Sequence, residues 1–103
     1  MPSNTEFSEQ TDFGVDVEFE VPPQYKVVLF NDDYTTMEFV VETLMDIFKK
    51  SFEEASAIML DVHKNGSGVA GIYPYDIAAT RARQALSRAR NAGYPLKITV
   101  EED

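Results

Sequence analysis

The segment from Tyr25 to Val40 constrains the fold most, because its hydrophobic period changes there without a linker. Tyr25-Lys26-Val27-Val28-Leu29-Phe30 is short, β-branched and aromatic, the composition of a largely buried strand. Asn31-Asp32-Asp33 stops that strand, since Asn and Asp side chains bond nearby backbone groups and favour turns. Thr35 and Glu38 have the spacing of a capping box, so a helix is expected from about Thr36. With Thr35 as the cap, Asn31, Asp32 and Asp33 are more polar groups than the turn requires. Two carboxylates and an amide at the mouth of an apolar helix face suit a ligand with a cationic head and an apolar body. The same residues also read as an Asx-rich, solvated turn.

Downstream, Met37, Val40, Val41, Leu44, Ile47 and Phe48 recur at intervals of three and four and make one apolar helix face. Lys49-Lys50 are expected in its last turn, where cations complement the carbonyl end of the helix dipole. Ser51 and Glu54 repeat the capping-box spacing, so a second helix follows almost at once. Its face is Ala55, Ile58, Met59 and Val62, with His63 at the edge and Gly66 placed to close it. His63 by itself reads equally as a solvated cation at a helix end. Val69-Ala70-Gly71-Ile72-Tyr73 is a short strand, and Pro74 marks the start of a third helix. That helix has Ile77, Ala78, Ala82, Ala85, Leu86 and Ala89 as its inner stripe, and Arg81, Arg83, Arg88 and Arg90 on its outer side. Leu96, Ile98 and Val100 alternate along a last strand. The order strand, helix, helix, strand, helix, strand makes an α+β two-layer domain.

Residues 1–21 contain six acidic residues' worth of repulsion, Glu6, Glu9, Asp12, Asp16, Glu18 and Glu20, and no Lys or Arg. They read as a disordered acidic arm, whose alternation from Phe13 to Val21 would allow a weak strand on a partner, ahead of a core domain at 22–103. A net charge of −9 disfavours binding driven by phosphate neutralisation and favours cationic partners. Without cysteine there is neither a thiol nucleophile nor a zinc-thiolate site. No apolar run long enough for a membrane span and no secretory leader pattern is present, so the expectation is a soluble, cytoplasmic protein.

Asp32, Asp33 and His63 are residue types that can do acid-base work or hold a hard metal. They lack a nucleophile elbow and the regular ligand spacing of a calcium loop or zinc helix. The expectation is therefore neither an enzyme nor a metal or cofactor protein. The arginines of the third helix, without a basic-aromatic sheet signature, point to a solvated or protein-docking face rather than to nucleic acid.

Taken together, the run Tyr25 to Val40, then Met59-Leu60-Asp61-Val62-His63, Gly71-Ile72-Tyr73 and Tyr94-Pro95-Leu96 strongly resemble the ClpS adaptor family over residues 22–103. The resemblance implies a fold similar to the carboxyl-terminal domain of the ribosomal stalk protein, with a three-stranded antiparallel sheet covered by three helices. It implies an adaptor that delivers proteins with destabilising amino-terminal Leu, Phe, Tyr or Trp to the ClpA unfoldase of the ClpAP protease. By the family pattern, Asn31, Asp32 and His63 bind the substrate α-ammonium, and Asp33 and Thr35 lie near the first peptide units. Met37, Val40, Met59, Val62 and Leu96 line the side-chain pocket. Tyr75, Asp76 and Arg81 dock the unfoldase amino-terminal domain, and the acidic arm is what the unfoldase engages. Thr36 stands where many members have proline, Pro74 where a capping threonine is common, and Asp76 and Arg81 where Glu and Lys are more usual. The alternative is a protein-interaction domain of this fold without amino-terminal recognition.

Overall fold

The computed structural model describes residues 19–103. The arm expected at 1–21 therefore lies mostly outside the described residues, and of its weak strand only 19–21 are seen, with Phe19 and Val21 exposed. The elements run β1 (Gln24–Phe30), α1 (Met37–Asp46), α2 (Phe52–Asn65), β2 (Ser67–Pro74), α3 (Tyr75–Ala92) and β3 (Lys97–Glu102). They form the expected three-stranded antiparallel sheet, in the order β2-β1-β3, with three helices. β1 is central because it is the most apolar strand. Val27 and Leu29 are wholly buried and pack with Val40, Leu44 and Ala78 in the main core. The register between β1 and β2 shifts between Val27 and Val28, where Ala70 is the extra residue of a bulge.

Local chemistry sets the helix ends, and two of them differ from the sequence expectation. Thr36, not Thr35, caps α1, its hydroxyl accepting from the Phe39 amide at 3.1 Å. Thr35 is engaged by Asp32 instead, and Glu38 is left without a capping role. α1 also ends at Asp46, so Lys49-Lys50 fall beyond its last turn. Lys49 takes the left-handed backbone (φ 58), and the Lys50 amide returns to the Leu44 carbonyl at 3.1 Å. α2 has the full reciprocal box. The Ser51 hydroxyl accepts from the Glu54 amide at 3.1 Å, and the Ser51 amide donates to the Glu54 carboxylate at 2.9 Å. Gly66, at φ 92, closes α2 as the sequence indicated.

α3 lies on the sheet through Ala78, Ala82, Ala85 and Ala89, small enough for close approach. Ile77 does not belong to that stripe; it is exposed. Nor do the arginines share one outer side. Arg81 turns inward, donating to the Ile47 carbonyl at the end of α1 and lying over the Tyr73 ring. Arg88 reaches Asp46 at 2.8 Å and Glu42 at 3.8 Å. Both tie α3 to α1, which leaves Arg83 and Arg90 as the solvent-facing pair.

Candidate functional site

Where β1 ends, the chain must cross to α1, and the start of β2 lies beside that crossing because Phe30 pairs with Ser67. The Asn31 amide donates to the Gly66 carbonyl at 2.9 Å, which ties the turn to the carboxyl end of α2. Two walls result, one from the turn and the first turn of α1, the other from the last turns of α2. Between them is a cleft of about 410 Å³.

The cleft has two chemical ends. Asn31, Asp32, Asp33, Thr35 and His63 line it with polar groups. Met37, Val40, Met59 and Val62 line it with apolar ones, and Val40 and Val62 form a buried floor at 5% and 3% exposure. Val62 is fixed from behind by Gly68, where a β-carbon would come within 2.9 Å of the Val62 side chain. Met37 stands at the rim, 45% exposed.

Asp32 is less free than the sequence suggested. Its Oδ1 accepts from the Tyr34 amide at 2.8 Å and the Thr35 amide at 2.7 Å, and its Oδ2 accepts from the Thr35 hydroxyl at 2.7 Å. The turn thus occupies three of the about four acceptor sites of this carboxylate. With about two acceptor sites on each oxygen, Oδ1 is filled and Oδ2 keeps one site for a further donor. Partial burial raises the Asp32 pKa, but the bonds from Thr35 and Tyr34 together outweigh it and hold the group below the ordinary aspartate value of 3.8. A pre-aligned anion therefore faces the cleft near its apolar floor, an arrangement that accepts a cation carried on an apolar body.

The structure brings together nine of the residues expected for binding, Asn31, Asp32, His63, Asp33, Thr35, Met37, Val40, Met59 and Val62, around one cleft. It does not bring Leu96 to that lining. Leu96 is buried in a smaller core with Phe39 and Ala89, supported by Tyr94 tilted on Phe39 at 4.8 Å. Tyr34 and Thr36 also line the cleft and were not singled out from the sequence. Their position in the turn, flanked by Asp33 and Met37, was the available signal.

Of the residues expected to dock a partner, Asp76 and Arg81 share a second hollow of about 460 Å³ between the end of α1 and the first half of α3. Tyr75 stands apart from that lining, exposed and packed edge-on against Tyr25 at 5.1 Å. Among the described residues no helix is long and apolar enough to cross a membrane, and no group of three metal-binding side chains occurs.

Residues 20–99 match the family model described as ATP-dependent Clp protease adaptor protein ClpS. Similar chains include the adapter protein ClpS of Wolinella succinogenes, 49% identical over 89% of this chain and 94% of that one. The ClpS of Clostridium acetobutylicum is 57% identical over 81% of this chain and 82% of its own length. Among solved structures, Agrobacterium tumefaciens ClpS2 bound to L-phenylalaninamide superposes with a TM-score of 0.77 and 40% identity. It covers 81% of this chain and all (100%) of that one. On the family match and these relatives together, the chain belongs to the ClpS family of Clp protease adaptors, which are not catalysts.

Proposed function

We propose that this adaptor holds proteins by a destabilising first residue, Leu, Phe, Tyr or Trp, and passes them to a ClpA-type unfoldase for degradation by the ClpAP protease. The observation that carries the reading is the cleft itself, with acceptors converging at one end and a buried apolar floor at the other. A chain start is the one place in a protein where an ammonium and a side chain share a carbon. Phenylalaninamide, the ligand of the Agrobacterium relative, has the same pairing.

Each part of the cleft has a task in this reading. An α-amino group, with a pKa near 8, is mostly charged at neutral pH, and its burial needs acceptors. The open site on Asp32 Oδ2, the Asn31 side chain and the His63 ring supply them, and Asp33 and Thr35 meet the first peptide units. A charge-assisted bond contributes about 1.5–3 kcal/mol, and burial of a Leu or Phe side chain adds about 1.5–3 kcal/mol. Three such bonds and one buried side chain supply about 6–12 kcal/mol, from which association costs are met. Met37 at the rim crowds the first β-carbon, so Leu, which branches only at Cγ, and planar rings enter and β-branched Val or Ile do not.

The test is a pair of Phe-initiated peptides identical except for acetylation of one amino terminus. In fluorescence anisotropy the free peptide binds and the acetylated twin does not; equal affinity overturns the reading. For delivery, Tyr75, Asp76 and Arg81 form the docking face for the unfoldase amino-terminal domain, and the acidic arm at 1–21 is the part the unfoldase engages. The domain at 22–103 is then the peptide-binding body. Deleting the arm, residues 1–21, spares peptide binding and stops degradation of a Phe-initiated substrate; undiminished degradation rules the arm out.

A further inference from the structure

Beyond the cleft, on the far side of Met37 and Met59, the surface continues as a groove of about 350 Å³ between α1 and α2. Val41, Met45 and Phe52 line it, and Met45 and Phe52 are 37% and 60% exposed. Met37 and Met59 line both the cleft and the groove, so the two are one continuous surface.

We infer that this groove is a second subsite of the same adaptor, which takes an apolar side chain about four residues into the bound polypeptide. The inference rests on the proposed recognition of the first residue. Three observations select this occupant. The first is continuity, because Met37 and Met59 belong to the walls of both the cleft and the groove. The second is reach. From Met37 to Met45 along α1 is about 12 Å at 1.5 Å per residue, which an extended chain covers in about four residues. The third is charge. Glu38 and Glu42 line the groove. Arg88 offsets Glu42 and Asp46, but Glu38 has no cationic partner among the described residues. Such a rim favours a guest with lysine or arginine beside its apolar residue and disfavours the chain's own acidic arm.

The experiment compares two peptides, Phe-Ser-Ala-Leu-Lys and Phe-Ser-Ala-Ser-Lys, each labelled at its carboxyl end, with a Phe-Ser dipeptide amide as control. Anisotropy titrations use the full chain and the double variant Phe52→Ser, Met45→Gln, both at exposed positions that do not line the cleft. The Leu peptide is expected to bind the parent about tenfold tighter than the Ser peptide, from partial burial of one Leu side chain. That ratio falls to about one in the double variant, and the dipeptide binds both proteins alike. Equal affinity of the two peptides for the parent, or a ratio that persists in the variant, overturns the second subsite while the dipeptide still reports first-residue binding. If the dipeptide itself fails to bind, the first-residue reading falls and this one falls with it. A dimer in sedimentation that Phe52→Ser dissolves assigns the groove to a second copy and overturns the inference.

Discussion

Replacing Asp32 in two ways separates the fold of the turn from the charge in the cleft. Asp32→Ala removes all three accepted bonds, two from backbone amides and one from the Thr35 hydroxyl. These bonds are partly exposed, so each contributes at the low end of the usual 0.5–1.5 kcal/mol, and their loss together costs about 1.5 kcal/mol. Asp32→Asn keeps a carbonyl oxygen for the Tyr34 and Thr35 amides, and its amide nitrogen can donate to the Thr35 hydroxyl. Its stability should therefore stay within about 0.5 kcal/mol of the parent. The charge, however, is gone, and with it one charge-assisted bond of about 1.5–3 kcal/mol, or about 10- to 150-fold in affinity. Urea unfolding and anisotropy with a Phe-initiated peptide measure the two quantities separately. The expected pattern is a lowered urea midpoint for Asp32→Ala alone and weakened binding for both variants. Binding of Asp32→Asn within about twofold of the parent would refute the role of the charge, and an unchanged midpoint for Asp32→Ala would refute the turn.

Three further outcomes follow from the structure. Thr43 is wholly buried in α1 and its hydroxyl finds no partner among the described residues. Thr43→Val should stabilise the protein by about 1 kcal/mol in urea unfolding; no gain would mean the hydroxyl is satisfied in solution. Gly68→Ala places a β-carbon 2.9 Å from the Val62 side chain and 3.2 Å from the Ile58 carbonyl. It should cost about 1–3 kcal/mol and weaken peptide binding by moving the α2 wall, and parental values for both would show that α2 yields freely. The pH dependence of binding is set on the alkaline side by the ligand. Asp32, with its lowered pKa, stays ionised down to below its ordinary value of 3.8, and the stability from its bonds is lost only as pH falls through the lower folded value. Affinity should fall about tenfold per pH unit above about pH 8 as the peptide α-amine loses its proton, and a flat profile from pH 7 to 10 would contradict ammonium recognition.

Element order was legible in the sequence because short-range chemistry decides it, whereas the antiparallel sheet and the set of residues around the cleft followed only from the family resemblance. Ser51 and Glu54 sit three apart and bond reciprocally, and Gly66 takes the left-handed conformation its position called for. The errors arose where two local choices competed. Thr35 and Thr36 are both capable caps, and the Asp32 carboxylate settled the matter by taking Thr35. The apolar period ran on through Ile47 and Phe48, which pack against the core after the helix has ended, so spacing alone placed Lys49-Lys50 inside it. Arg81 and Arg88 looked like surface charges, and only the arrangement of α1 against α3 reveals the carbonyl and carboxylates they answer. Leu96 lies just before β3 rather than within it, and its place in the smaller core depends on Phe39, distant in sequence.

The bond between the Asn31 amide and the Gly66 carbonyl extends the β1-β2 ladder one step past its last strand pair, so both jaws of the cleft hang from the same sheet end. Prising them apart means unzipping Phe30 from Ser67 as well. A guest thus meets a mould already set, and almost none of its affinity is diverted into reshaping the host.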